Sequence, residues 1–254
     1  MKVKKIILFI FWMAVFVGVI FVVVRAGSTR EQMACERYSI QITVDNTTDT
    51  LLYLADIEKI MLRHDSIIGK PYNEIDVYAL EDTLKKHPCI SGVNIYGDML
   101  GTLRITAIQR TPVVRITNRY NESFYLDETA HAMPVRPEVS ADVIPVSGNI
   151  DMTLSQALSD TLNHKWDALL SCVKYIGNDT FLKSRISQIY VKNENFYLLI
   201  PVTGNHTIIF GTPEHPEKRL ERLKIFYQKV MDEEKWENYK TIDLRYKSQV
   251  ICKR

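Results

Sequence analysis

The residues of this chain that could do acid–base, nucleophilic or metal chemistry are its 6 histidines and 4 cysteines. Their spacing arms none of it. His64 and His87 fall at the ends of helical patterns, where capping and dipole roles account for them. His131 lies in a hairpin, His164 on a long helical stretch, and His206 and His215 flank a glycine-containing turn. None has a partnered base or nucleophile at a catalytic spacing. Cys35, Cys89, Cys172 and Cys252 include no C-x-x-C pair, so zinc and thioredoxin-like chemistry lack support. An oxidising compartment would permit bridges among them, but small buried hydrophobes are the simpler reading. G-x-S-x-G, H-E-x-x-H, the P-loop and G-x-G-x-x-G are all absent from the sequence. The chain therefore points away from an enzyme, a cofactor or a metal. What remains is recognition: Arg245 and Tyr246, adjacent in an alternating C-terminal segment, are of the types enriched at interface hot spots.

The elements that must position those residues begin with an apolar run over 6–24, IILFIFWMAVFVGVIFVVV, behind Lys2, Lys4 and Lys5. As a helix it spans about 28 Å, close to the roughly 30 Å of a bilayer core. We read it as a membrane anchor that runs from Ile6 through Trp12 to Val24. Gly18, with Ala14, makes a weak small-residue notch for lateral contacts. The lysines keep the short tail 1–5 cytoplasmic and send the body across the membrane, an asymmetry that Arg25 and Arg30 weaken without reversing. A cleaved signal peptide is the competing reading, but its apolar core is shorter, about 7–15 residues, and Arg25-Ala26-Gly27-Ser28 is a poor cleavage site. A linker, 25–37, follows.

The remainder has ordinary globular composition: the chain is 46% hydrophobic and 24% charged, with 10 Gly and 9 Pro. A net charge of +2 gives no bulk attraction to nucleic acid or anionic lipid. N-x-[ST] triplets at Asn46, Asn121, Asn178 and Asn205 carry little weight, since the pattern is short.

From 38 to 110 the pattern reads β-α-α-β-β. YSIQITVD (38–45) alternates, with Ile40, Ile42 and Val44 on one face. Leu54, Ile57, Ile60, Met61 and His64 keep helical spacing until Gly69-Lys70-Pro71. Asp76 N-caps a second helix with Val77, Leu80 and Leu84 buried, and Lys85, Lys86 and His87 sit at its negative end. Val93 and Ile95 share a face of one strand, and Leu103, Ile105 and Ala107 a face of the next, with Gly97-Asp98 and Gly101 at the turn. Two helices on a three-stranded sheet would close a small α+β module.

From 111 to 254 the expected elements are mostly strands: VVRI (113–116), FYLDE (124–128), HAMPV (131–135), ISQIYV (186–191), FYLLIPV (196–202) and HTIIFG (206–211). Asp127-Glu128-Thr129-Ala130 marks a hairpin tip. A capping box, Thr153-Leu154-Ser155-Gln156, opens a long helix with Leu158, Leu162, Trp166, Leu169 and Val173 on one side. Pro216 starts another, carrying Leu220, Leu223, Tyr227 and Val230. A terminal strand runs from Lys240 to Lys253, with Ile242, Leu244 and Tyr246 alternating against Asp243 and Arg245.

This order of parts resembles the FtsQ/DivIB family of bacterial cell-division proteins over nearly the whole chain. The matching stretches are Ile68-Gly69-Lys70-Pro71, LEDTLKKHPCISGVNI (80–95), LRITAIQRTPVV (103–114), Tyr125-Leu126-Asp127-Glu128 and the sharper Asp243-Leu244-Arg245-Tyr246. Two departures are Ala130, where a glycine is common, and the short cytoplasmic tail. The resemblance implies an anchor in the inner membrane, a POTRA domain over 38–110, and a mostly antiparallel β domain with flanking helices over 111–254.

It also implies a non-enzymatic scaffold at the division septum, with no small-molecule substrate. Its last strand would accept FtsB/DivIC-type and FtsL-type bitopic proteins by strand addition, in support of the septal wall synthase complex. On that reading the partner surface comprises Ile242, Leu244, Arg245, Tyr246, Lys247, Ser248, Gln249 and Val250. A second docking surface would use the strand bearing Leu103, Arg104, Ile105, Gln109 and Arg110, or the strand over 38–45. The alternative is a POTRA-bearing assembly factor that handles outer-membrane clients. Such proteins usually carry tandem modules and a barrel, and here one module is read and no barrel strands.

Overall fold

The computed structural model describes residues 11–22, 33–44, 50–63, 67–159, 166–193, 196–230, 239–247 and 249–254. Residues 11–22 form helix α1, whose side chains are all apolar and exposed. Ile6 and Val24 lie outside the described residues, as do His64, His164 and Leu162. Among the described residues no helix is long and apolar enough to cross a membrane. The chain divides into two compact units, Met1–Thr43 with Leu52–Ile108, and Val44–Leu51 with Gln109–Arg254.

The first unit follows the β-α-α-β-β order: β1 (Arg37–Thr43), α2 (Leu54–Met61), α3 (Val77–Lys85), β2 (Ile90–Gly97) and β3 (Thr102–Gln109). The Asp76 carboxylate accepts from the Ala79 N–H at 2.9 Å, which satisfies one orphan donor of α3. Ile57, Met61, Leu80 and Leu84 are buried on the two helices, and Leu103, Ile105 and Ala107 on β3. Period-two alternation puts Arg104 and Ile108 on the opposite, exposed face. The spatial order is β1-β3-β2, with β1 parallel to β3 from Arg37 opposite Thr102 to Thr43 opposite Ile108.

The second unit is one nine-stranded sheet in the order β12-β11-β10-β9-β8-β7-β4-β5-β6. Its strands are β4 (Val114–Thr117), β5 (Ser123–Leu126), β6 (Ala132–Pro134), β7 (Ile144–Gly148), β8 (Ile186–Asn193), β9 (Phe196–Pro201), β10 (Thr207–Gly211), β11 (Thr241–Asp243) and β12 (Ile251–Lys253). Its helices are α4 (Leu154–Ser159), α5 (Asp167–Asn178), α6 (Thr180–Arg185) and α7 (Pro216–Lys229). Most neighbours are antiparallel, but β4–β7, β7–β8 and β10–β11 are parallel. Parallel neighbours need crossovers: β5 and β6 lie between β4 and β7, α4–α6 between β7 and β8, and α7 between β10 and β11. One core joins Val146, Ile189, Leu199 and Phe210 of the sheet to Leu169, Cys172, Leu220 and Leu223 of the helices.

Several local expectations change. The capping box is present, with Thr153 N–H donating to Gln156 Oε1 at 2.9 Å and Gln156 N–H to Thr153 Oγ1 at 3.3 Å. The helix it opens, α4, ends at Ser159, and α5 is a separate element. A stripe drawn at one constant phase through both fails, so Leu158 is exposed and Ala157 is buried instead. Val230 is also exposed, because α7 stops one residue before it. Strand β7 escaped sequence reading because Pro145 interrupts it. Its pairing with β8 begins only at Val146.

Candidate partner interface at the C-terminal hairpin

The terminal segment is a hairpin rather than one long strand. β11 is held by β10: the Thr207 N–H donates to Lys240 O and the Leu244 N–H to Ile209 O, both at 2.9 Å. These bonds turn the backbone groups of Ile242 towards β10, and alternation turns those of Thr241 and Asp243 towards β12. β12 then runs antiparallel, with Ile242 opposite Cys252. Lys240 N–H donates to Lys253 O at 2.8 Å, so Lys253 faces β11. The N–H and C=O of Cys252 consequently lie on the outer edge of the sheet, where no described strand pairs with them.

The reversal between the two strands is fixed from several sides. Arg222 of α7 donates from Nη2 to Leu244 O at 2.9 Å and from Nη1 to Lys247 O. The Arg245 guanidinium donates to both Asp243 oxygens, the shortest contact being Nη2 to Oδ2 at 2.6 Å. Hydrogen bonds and charge from Arg245 hold the Asp243 carboxyl below its ordinary value, and Asp243 in turn raises the Arg245 guanidinium. Gly211, at φ +81°, leaves room for the stem of Arg245, since a Cβ there would meet Arg245 Cγ at 2.7 Å. Arg245 Cζ also lies 5.7 Å from the centre of the Phe196 ring. Behind the hairpin His206 Nε2 and Tyr227 Oη are 2.8 Å apart. Burial lowers the His206 pKa and raises that of Tyr227, which makes the pair a neutral structural contact.

The expected site residues divide accordingly. Ile242 and Leu244 are fully buried in the core, so they support the hairpin and present nothing to a partner. The expected alternation fails here because Ile242, Asp243 and Leu244 are all buried while Tyr246 is 46% exposed. Arg245, Tyr246, Lys247 and Gln249 are exposed together on the reversal, Val250 is half-buried, and Ser248 lies outside the described residues. The expected single strand from Lys240 to Lys253 is instead two short strands, β11 and β12, with the break at Lys247–Gln249, so the terminal edge belongs to β12 alone. The polar triplet there was the available signal.

The second expected surface also needs correction. β3 lies between β1 and β2, so it has no free edge for strand addition. Leu103 and Ile105 are fully buried, and Arg104 pairs with Asp98 at 3.0 Å. Gln109 is buried and accepts from the Leu51 N–H at 2.7 Å. Arg110 donates to Asp127 Oδ2 at 2.8 Å, which ties the start of the second unit to the tip of the β5–β6 hairpin. That tip is built on Asp127, whose Oδ1 accepts from the N–H groups of Thr129 and His131. Burial pushes the Asp127 carboxyl up, but these donors and Arg110 outweigh it and hold the pKa below its ordinary value. Ala130 adopts φ +65°, the left-handed geometry for which glycine is suited.

The four cysteines are free thiols, three of them buried, and burial pushes Cys172 up to about 12. That value keeps the thiol protonated and unreactive.

A family model described as "FtsQ/DivIB, C-terminal related" matches residues 111–253, more than half of the chain. The chain belongs to the FtsQ/DivIB family. A second model, a POTRA-like domain, matches residues 33–108. A search of curated proteins returns no match. FtsQ/DivIB proteins are non-enzymatic scaffolds of cell division, and the POTRA-like match accords with the β-α-α-β-β order of the first unit. Among the described residues no group of three or more His, Cys, Asp or Glu side chains could hold a metal ion.

Proposed function

We propose that this chain is a bitopic scaffold of the bacterial divisome. It recruits FtsB/DivIC-type and FtsL-type partners by strand addition at β12. Its apolar run 6–24 anchors it in the cytoplasmic membrane with the body outside the cytoplasm, at the septum, where it supports the septal wall synthase complex. The observation that carries this reading is the free edge of β12. An extended partner segment can bond the outward N–H and C=O of Cys252, while Tyr246, Lys247 and Gln249 on the adjoining reversal select its side chains.

The test is affinity capture of the full-length protein from detergent extract, with Tyr246→Ala and Cys252→Pro compared with wild type. Proline at 252 removes an outward N–H and leaves the β11–β12 ladder intact. The expected result is that wild type recovers a small coiled-coil bitopic protein. Tyr246→Ala weakens that capture by about 1–2 kcal/mol and Cys252→Pro abolishes it, both variants remaining folded. Equal recovery by all three would exclude β12 as the receiving edge.

A further inference from the structure

The first unit carries two large apolar side chains at a turn. Met99 is 76% exposed and Leu100 70% exposed, at the reversal between β2 and β3. They are held there by a stiff local frame. Asp98 Oδ1 accepts from the N–H groups of Leu100 at 2.8 Å and Thr102 at 2.9 Å, and Asp98 Oδ2 accepts from Arg104. Gly101, at φ +75°, completes the turn. This frame fixes the backbone of the tip with both apolar side chains facing solvent.

The direction in which the tip points follows from topology. β1 and β3 are parallel, with Arg37 opposite Thr102, so both begin at the same end of the sheet. β3 begins just after the Met99–Leu100 turn, and β1 begins just after the chain arrives from the N-terminal apolar run. The arrival is bonded to the turn itself: the Glu36 N–H donates to Gly101 O at 2.8 Å. Ile68, 53% exposed, belongs to the same end, since Gly69 N–H donates to Cys35 O at 2.7 Å and Cys35 N–H to Lys70 O at 2.9 Å. From Val24 to Met33 the chain can reach at most about 30 Å. The exposed apolar end of the unit is therefore the end tied closest to the apolar run.

We infer that the Met99–Leu100 tip, flanked by Ile68, inserts into the interfacial layer of the membrane that holds the anchor. The inference rests on the reading of 6–24 as that anchor. Two or three apolar side chains would bind a vesicle weakly from free solution, but a tether makes the step intramolecular and raises the effective concentration of the surface. Insertion would hold the first unit in a defined pose against the bilayer, with the strands of its sheet standing along the bilayer normal.

The test uses the full-length protein in nanodiscs of phosphatidylethanolamine and phosphatidylglycerol. Cys252→Ser removes the one thiol that is not buried. An environment-sensitive dye is then attached at Met99→Cys or, as a control at the far end of β2, at Ser91→Cys. Headgroup-level and deep nitroxide lipids are compared as quenchers. The inference expects blue-shifted emission and headgroup-level quenching at 99, neither at 91, and loss of a dye signal at 99 when Leu100→Glu is added. Quenching of Trp12 by the deep label with no quenching at 99 would overturn the inference and leave the anchor reading standing. Absence of Trp12 quenching would overturn both.

Discussion

Asp127 joins two elements through one carboxylate: it caps the β5–β6 tip through Thr129 and His131 and pairs with Arg110. Its pKa lies below the ordinary carboxylate value in the folded protein. A carboxyl with a depressed folded pKa adds stability above its unfolded value, and that stability is lost as pH falls through the folded one. Stability of the second unit should therefore be flat at neutral pH and fall steeply below about pH 4. Asp127→Asn should lower stability at pH 7 by about 2–3 kcal/mol and flatten the acid limb, as read by urea melts at several pH values. An unchanged acid limb would remove Asp127 from that role. Asp243 follows the same sign through Arg245, but its partner is half-exposed, so its share is smaller.

At the scale of elements, the distinctive join is β7, wedged in parallel between β4 and β8. Gly148 ends it at φ +118°, where an added Cβ would lie 2.2 Å from Val191 O. Backbone cannot give way as a side chain can. Gly148→Ala should destabilise the second unit by more than about 3 kcal/mol, whereas Gly211→Ala, whose neighbour is the flexible Arg245, should cost about 1–2 kcal/mol. Equal melting shifts for the two would contradict this account.

The strands that alternate cleanly were legible in the sequence, as Leu103, Ile105 and Ala107 on β3 illustrate. So were the caps at Asp76 and Thr153 and the proline that starts α7. β7 was not, because a proline inside a short strand erases the propensity signal. Nor was the sheet order: periodicity says which face is buried, not which neighbour a strand takes. That limit left β3 standing beside the strand over 38–45 as a candidate edge, although it is the central strand, and merged β11 and β12 into one. Arg245 and Tyr246 were legible as the exposed pair only through their residue types.

At the scale of the whole molecule, the second unit is a sheet whose final hairpin divides its labour. β11 closes the core through Ile242 and Leu244, and β12 offers an edge. A chain cut after Asn238 loses both core side chains and should be destabilised by several kcal/mol. A chain cut after Gln249 loses only β12 and should stay folded by circular dichroism. The most direct test of the central claim is site-specific photocrosslinking in dividing cells. A photoreactive residue is placed at Lys253 on the β12 edge or at Pro134 on β6, the opposite edge of the same sheet. The account predicts a crosslink to a small bitopic coiled-coil protein from 253 and none from 134. A crosslink from 134 alone, or from neither position, would contradict it.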